Sequence, residues 1–121
     1  MNRTILVTGG SGVIGFSIVK YFYDRDYNVV IAGLSNKKRI NQIKDELDQD
    51  RSLIFNTELT KATNLDKIVK TTVKKFKSID VLVNCAGIQF VSPIEKYPEK
   101  IWRKMMDINL TSPFLMTKAV L

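Results

Sequence analysis

The chain has 121 residues, which is enough for one domain and too few for two. Hydrophobic residues make up 45% and charged residues 26%, the usual balance of a soluble globular protein, and the longest apolar run, residues 29–34, is far shorter than the roughly 20 residues of a membrane span. One cysteine and no histidine argue against a disulfide framework and a metal site, so we predict a cytoplasmic protein that holds no metal.

The net charge of +7 would suit a nucleic-acid partner. However, Lys67, Lys70, Lys74 and Lys77 follow the spacing of one helix face and have no interleaved aromatic residues on which bases could stack. A solvated lysine-rich surface explains them better. We therefore predict neither a nucleic-acid nor a membrane partner.

The first half of the chain alternates apolar runs with helical patterns. Residues 3–8 are mostly apolar and end in a glycine cluster, as does a buried strand that runs into a tight turn. Residues 13–24 repeat apolar side chains every four positions and predict a helix, and residues 28–34 predict a second strand. Ser35 or Asn36 caps the next helix. Its apolar face carries Ile40, Ile43 and Leu47.

The second half continues the alternation. Residues 52–56 predict a third strand, and Asn64 is the expected N-cap of the helix that follows, whose apolar stripe is the most regular in the sequence. Residues 80–84 predict a fourth strand. After a loop, a long helical stretch runs from about Pro98 to the end of the sequence.

The predicted order of elements is therefore β-α-β-α-β-α-β-α. Strands that alternate with helices favour an α/β fold in which a parallel sheet is covered on both faces. No repeat, low-complexity segment or linker divides residues 1–121, so we expect a single structural unit.

The sequence TGGSGVIG at residues 8–15 lies between the first strand and the first helix. Glycines in such a turn allow a tight bend, a close approach of the backbone to a diphosphate, and close packing of helix on strand. The start of the helix then offers free N–H groups to phosphate. The pattern predicts a dinucleotide site, with these binding residues: Gly9, Ser11, Gly12, Val13, Ile14 and Gly15.

No acidic residue stands about 20 positions after this turn, where one would hold the ribose hydroxyls of NAD. The second strand instead ends near Leu34 and is followed by the cations Lys37, Lys38 and Arg39. A cation there could hold the extra phosphate of NADP, although the start of a solvated helix explains these residues equally well. Position alone leaves NAD and NADP both open.

Four features together resemble the short-chain dehydrogenase/reductase family: the 8–15 turn, Glu58-Leu59 after the third strand, Asn84-Cys85-Ala86-Gly87 after the fourth strand, and Asn109 in the last helix. The resemblance implies a Rossmann-like, doubly wound sheet of strand order 3-2-1-4 and a nicotinamide cofactor. It implies that Asn109 is a catalytic residue, part of a water-linked proton relay. The further cofactor-binding residues that it implies are Leu34, Glu58, Leu59, Asn84, Ala86 and Gly87.

The stretch Ala86-Gly87-Ile88-Gln89-Phe90 is similar to that of the D-3-hydroxybutyrate dehydrogenase branch of this family. The similarity implies that Gln89 contacts the carboxylate of a small hydroxy or keto acid. It also favours NAD. That branch uses NAD although it tends to have Gly-Phe and no acid after its second strand, and Gly33-Leu34 resembles this arrangement.

Three positions depart from the family pattern. Val13 stands where the usual turn has its middle glycine, and we expect its β-branched side chain to crowd the diphosphate. Cys85 replaces an asparagine and is interpreted as a packing residue, because no nearby cation or base would activate its thiol. Phe90 replaces the histidine of the 3-hydroxybutyrate branch.

Members of this family also use a serine and a Tyr-x-x-x-Lys pair, which follow the helix in which this sequence ends. None of the four tyrosines here has a lysine four positions later. We therefore expect residues 1–121 to be the N-terminal, dinucleotide-binding part of one domain, with the C-terminal catalytic part absent. We expect the chain alone to be inactive. We expect a homo-oligomer only for a complete chain.

The resulting hypothesis is the N-terminal portion of an NAD-dependent oxidoreductase that interconverts 3-hydroxybutyrate and acetoacetate. One alternative is an NADP-dependent short-chain reductase of another carbonyl substrate. A second, from a different class, is a non-catalytic NAD-binding module or an inactive remnant.

Overall fold

The computed structural model describes residues 2–121. Four strands and five helices follow one another in the predicted order, and the predicted last helix is divided into two. The strands are β1 (Thr4–Thr8), β2 (Asn28–Ala32), β3 (Ser52–Phe55) and β4 (Val81–Asn84). The helices are α1 (Val13–Tyr23), α2 (Lys37–Glu46), α3 (Ala62–Phe76), α4 (Glu99–Met106) and α5 (Ser112–Val120), and a π-helical turn, Asp107–Thr111, joins the last two.

All four strands are parallel and lie in the order β3-β2-β1-β4. In the middle of the sheet, Leu6 pairs with Val30 on one side and with Leu82 on the other. This confirms the predicted order, and it brings the carboxyl ends of all four strands to one edge. Ligands of open parallel sheets bind at that edge.

Each face of the sheet has its own hydrophobic core. On one face, alternate strand residues such as Ile5 and Ile31 pack with Val19 of α1 and Ile43 of α2. On the other face, residues that include Leu6 pack with side chains of α3 and α5: Leu65, Ile68, Phe76 and Met116. Both faces of β1 are thus buried, which explains why its sequence is a continuous apolar run rather than an alternating one. Within residues 2–121, no helix is both long enough and apolar enough to cross a bilayer.

Two predicted boundaries need correction, and one cap is confirmed. Helix α3 begins at Ala62, so Asn64 is not its N-cap. The Asn64 amide instead donates to the Glu58 carbonyl at 3.1 Å and closes the turn after β3. Strand β2 ends at Ala32, because Gly33 adopts a φ of +138° that leaves the strand conformation. Asn36 does cap α2, accepting a hydrogen bond from the Arg39 N–H at 2.8 Å.

Asp80 fixes the start of β4 beside the start of β1. Its carboxylate accepts hydrogen bonds from the Thr4 N–H at 2.8 Å and from the Ser78 hydroxyl at 2.9 Å, and its own N–H donates to the Thr4 carbonyl at 2.8 Å. The Thr4 bond first, then the Ser78 bond and the charge of Arg3, lower the pKa of this carboxyl below its ordinary value. The ionised form is therefore the one that ties the two strands together.

We expect Asp80→Asn to lower the melting temperature at pH 7, because asparagine accepts the Thr4 bond without a charge. A lowered pKa contributes stability that is complete above the ordinary carboxyl pKa of about 3.9 and is lost as the pH falls through the folded-state pKa. The difference between the two proteins should therefore shrink below about pH 4. Thermal melts from pH 7 to pH 3 measure it. Asp45→Asn is the control, because it removes an exposed carboxylate that has no hydrogen bond or ion pair to any of residues 2–121. A difference that stays constant with pH would contradict the assignment.

Candidate cofactor-binding site

The turn between β1 and α1 is held by its own backbone. The Gly9 N–H donates to the Ala32 carbonyl at 2.8 Å, which ties the turn to β2. The Gly12 N–H returns to the Gly9 carbonyl at 3.1 Å, and the Phe16 N–H bonds to the Gly12 carbonyl at 2.9 Å as α1 begins. Gly9 itself has a φ of +65°, a conformation that favours glycine.

Two glycines of this turn have no room for a side chain. A Cβ on Gly15 would lie 2.1 Å from the Gly9 carbonyl oxygen, and a Cβ on Gly9 would lie 2.8 Å from the Ala86 Cα. Gly12 is different, since its Cβ would make only an ordinary contact of 3.4 Å. The backbones of β1, α1 and the segment after β4 therefore converge at the turn more closely than any larger residue permits.

The start of α1 is left open to a ligand. Gly12 is its N-cap and supplies no side-chain hydrogen bond, and the first turn contains no acidic residue. Free N–H groups and the positive end of the helix dipole attract an anion to such a position. Val13 is the first helical residue, its φ is not positive, and its side chain is 89% exposed, so its backbone is unstrained. The expectation that its side chain crowds a bound diphosphate stays a prediction.

A cavity of about 900 Å³ opens in front of this turn, at the carboxyl edge of the sheet. It brings together most of the residues that the sequence assigned to the cofactor. Those on its wall are Gly9, Ser11, Gly12, Val13, Ile14, Gly15, Leu34, Glu58, Leu59, Ala86 and Gly87. Three predicted site residues do not line it: Asn84, Gln89 and Asn109.

Asn109 acts as a clamp behind the cavity wall. From the π-helical turn, its Nδ2 donates to the Ile88 carbonyl at 2.9 Å, and its Oδ1 accepts from the Ile88 N–H at 2.9 Å. A Cβ on Gly87 would lie 3.2 Å from the same Oδ1, so the clamp passes close to the backbone. Asn109 thereby fixes the segment that carries Gly87 on one side and Gln89 on the other.

A second bond closes the loop that leads from β4 to α4. The Tyr97 hydroxyl lies 3.0 Å from the Phe90 carbonyl, to which it can donate, and 2.7 Å from the Met105 sulfur. The Tyr97 ring packs edge-on against Phe90 at 5.4 Å between centroids and against Trp102 at 6.4 Å. The exposed Gln89 lies just before this closed loop.

Thr8 anchors the opposite end of the same wall. Its buried hydroxyl accepts hydrogen bonds from the Cys85 N–H at 3.1 Å and the Ala86 N–H at 3.2 Å. The Thr8 hydroxyl thus holds the end of β4 through backbone amides, and the Cys85 side chain takes no part in these bonds. The Asn84 amide lies on the outer side, where it makes a long, exposed bond of 3.4 Å to the Thr117 hydroxyl.

The cavity also has residues that the sequence analysis missed. Helix α4 and the π-helical turn contribute three cations, an acid and an apolar side chain: Lys100, Arg103, Lys104, Asp107 and Ile108. Thr57, Thr60, Cys85 and Ile88 complete the set of side chains that had not been assigned. A spacing of three to four residues from Lys100 to Ile108 marked one helix face, but no sequence signal distinguished a face toward the cavity from a face toward solvent.

The sequence profile of the short chain dehydrogenase family matches residues 3–121. The chain belongs to the short-chain dehydrogenase family. Among curated proteins of this kind, it is similar to the NAD-dependent glycerol dehydrogenase of Listeria innocua serovar 6a, with 29% identity over 119 residues that cover 98% of this chain and 46% of that protein.

Solved structures of short-chain dehydrogenases agree with the fold. The short-chain dehydrogenase/reductase of Brucella melitensis described as glucose/ribitol dehydrogenase has a TM-score of 0.91 and 28% identity, over 98% of this chain and 50% of that chain. Serine dehydrogenase from Escherichia coli has a TM-score of 0.86 and 27% identity, over 98% and 54% of the two chains. The present chain spans about half the length of these relatives.

We expect Gly15→Ala to destabilise the protein by about 3 kcal/mol, because the new methyl group meets the Gly9 carbonyl and the backbone must separate. Urea denaturation measures the change. The matched control is Gly12→Ala in the same turn, where a Cβ has room and the φ is −74°. That variant should cost about 1 kcal/mol or less. Equal losses from the two variants would show that the close approach is not what limits this turn.

Removing the Asn109 clamp should loosen the segment after β4. We expect Asn109→Ala to cost about 1–2 kcal/mol, since two hydrogen bonds to Ile88 are lost, and to speed hydrogen exchange at the Ile88 amide. Asn84→Ala, which removes a single long and exposed bond, should change neither quantity appreciably. The clamp is refuted if the Ile88 amide exchanges at the same rate in both variants.

Proposed function

We propose that this chain forms the dinucleotide-binding part of an oxidoreductase that transfers hydride between NAD and a small hydroxy or keto acid, with 3-hydroxybutyrate and acetoacetate as the substrate pair. The observation that carries the proposal is the close contact of Gly15 with the Gly9 carbonyl, which places the open start of α1 at the wall of a large cavity. Residues 1–121 would be a single unit of a larger domain.

The turn fits the diphosphate of a dinucleotide. A diphosphate needs backbone N–H groups that are not already paired and a close approach to the backbone. The glycines of the 9–15 turn permit the close approach, and the N–H groups that follow Gly12 at the start of α1 are open to an anion. The chain adds a net charge of +7, which favours an anionic ligand at long range. The absence of an acid in the first turn of α1 removes the local repulsion that would oppose it.

The cavity lining also suits an adenine ring. Leu34, Leu59, Ala86 and Ile108 supply apolar surface to its wall. Glu58 and the neighbouring polar side chains offer hydrogen-bond partners for the edge of the base. Apolar walls with a few polar groups are typical of a small-molecule binding pocket.

The support for the acid substrate comes from Gln89. It is exposed and follows the carboxyl end of β4, and its primary amide can donate to a carboxylate. Its position is fixed from both sides by the bonds of Asn109 to Ile88 and of Tyr97 to Phe90. Its place outside the dinucleotide cavity agrees with a role toward substrate rather than cofactor.

When bound, the nicotinamide ring of the cofactor supplies or accepts the hydride. The residues of this chain bind and orient: the 9–15 turn holds the diphosphate, and the apolar wall excludes water from the adenine. Asn109, whose Nδ2 and Oδ1 each make one hydrogen bond to the Ile88 backbone, holds the wall in place. We expect the chain alone to bind dinucleotide without turnover.

A second candidate is an NADP-dependent reductase of another carbonyl compound. No carboxylate lies between Gly33 and Arg39 to hold ribose hydroxyls, and the Asn36 side-chain oxygen is already bonded to the Arg39 N–H. Lys37 and Lys38 are exposed at the start of α2 and could approach the additional phosphate.

Calorimetric titration of the chain with NAD and with NADP tests both candidates. We expect NAD to bind with a dissociation constant of about 10–100 µM, typical of ligands held chiefly by one end, and NADP to bind more weakly. Leu34→Asp should improve NAD binding, because a carboxylate can accept the ribose hydroxyls, and should weaken NADP binding by charge repulsion.

Lys118→Gln, at an exposed position on α5, lowers the net charge by the same single unit and controls for the change of charge alone. Tighter binding of NADP than of NAD would establish the second candidate. Binding of neither cofactor to a folded chain would overturn the proposal as a whole.

A further inference from the structure

We propose that Arg39 is a positioning residue that holds the 9–15 turn in its ligand-ready shape from behind, for NAD and NADP alike. This inference rests on the proposed function, because it assigns a role within the same dinucleotide site. It differs from the simplest expectation for a cation after β2, which is direct contact with an additional phosphate.

The first observation is a bond between distant parts of the chain. The Arg39 Nε donates to the Ser11 carbonyl at 2.9 Å, across 28 positions of sequence, in a partly buried setting. A charged donor makes such a bond stronger than a neutral one. Ser11 is at the tip of the turn, so this bond fixes the peptide that leads into Gly12 and α1.

The second observation is that Arg39 is held in place by the rest of the protein. Its guanidinium lies over the Phe16 ring, 4.8 Å from the centroid, and its backbone N–H is bonded to the Asn36 cap. Phe16 belongs to α1 and Asn36 precedes α2, so Arg39 connects both helices to the turn. Few rotamers remain available to it, and a restrained donor loses little entropy in making its bond.

The third observation is the location of the side chain. Ser11 and Leu34 line the cavity, whereas Arg39 does not. Arg39 is half-buried, while its neighbours Lys37 and Lys38 are exposed. A residue that contacts the turn from outside the cavity acts through the turn, and its loss should affect every ligand whose diphosphate the turn binds.

The physical consequence concerns the amides of the turn. Without Arg39 the Ser11 carbonyl loses its charged donor, and the Ser11–Gly12 peptide is free to rotate. The N–H groups at the start of α1 would then have to be ordered when the ligand binds, which lowers affinity. Loss of one charge-assisted bond that organises a site corresponds to a loss of affinity of about tenfold.

The test uses the whole chain and three variants. Arg39→Met keeps the length and apolar packing of the side chain without the charge. Arg39→Lys keeps the charge but lacks the Nε donor and the planar group that lies over Phe16. Lys44→Met removes the same charge from an exposed position on the same helix, away from the cavity wall, and is the matched control. Circular dichroism verifies that each variant is folded.

Calorimetry with NAD and NADP gives the first measurement. We expect Arg39→Met to weaken both ligands by about tenfold, Arg39→Lys to weaken both nearly as much, and Lys44→Met to change either by less than about twofold. A loss confined to NADP would make Arg39 a phosphate ligand and would overturn the proposal. Unchanged affinity for both ligands, or an equal loss in Lys44→Met, would also overturn it.

Hydrogen exchange without ligand gives a measurement that does not depend on the proposed function. The amides of residues 11–13 should exchange faster in Arg39→Met than in Lys44→Met, while amides of β1 remain unchanged. If the native chain binds neither cofactor but this difference is found, the proposed function fails and the bracing role of Arg39 stands. Equal exchange in the two variants refutes the bracing role.

Discussion

The contact between Gly15 and the carbonyl of Gly9 sets the position of everything around the cavity. Because neither residue has a side chain between them, α1 starts almost in contact with the end of β1. The partial positive charge at the helix start therefore lies at the carboxyl edge of the sheet, in front of the cavity rather than to one side of it. A single added methyl group at this point would separate helix and strand and move that charge away.

The segment after β4, which forms part of the cavity wall, is held by hydrogen bonds in addition to the packing of Cys85 and Ala86 against the two hydrophobic cores. The Thr8 hydroxyl bonds to two consecutive amides after β4, and Asn109 bonds to both polar groups of the Ile88 peptide. Parallel strands end abruptly at this edge, so their last backbone groups have no ladder partners. Two polar side chains from other elements supply those partners, and the segment after β4 keeps one conformation although it has no regular structure of its own.

The fold followed from the sequence more completely than the site did. Continuous apolar runs identified the buried parallel strands, and the glycine spacing located the turn, because both depend on neighbours in sequence. Asn64 was misjudged as a cap because a side chain able to cap can instead bond to a carbonyl earlier in the chain, here that of Glu58. The contact of Arg39 with Ser11 and the cations of α4 depend on how distant segments meet, and no periodicity encodes that. Arg39 and Ser11 are 28 positions apart in sequence and come into contact only in the folded chain.

The loop that the hydrogen bond between Tyr97 and Phe90 closes is held at its ends and exposed in its middle. Its two ends are tied to α4 and to the π-helical turn, whereas the intervening Val91 and Ile94 are exposed and do not lie on the cavity wall. Changes in the length or composition of residues 91–96 are thus absorbed locally. A fluorophore or an affinity tag can be inserted in this short stretch without disturbing the dinucleotide cavity.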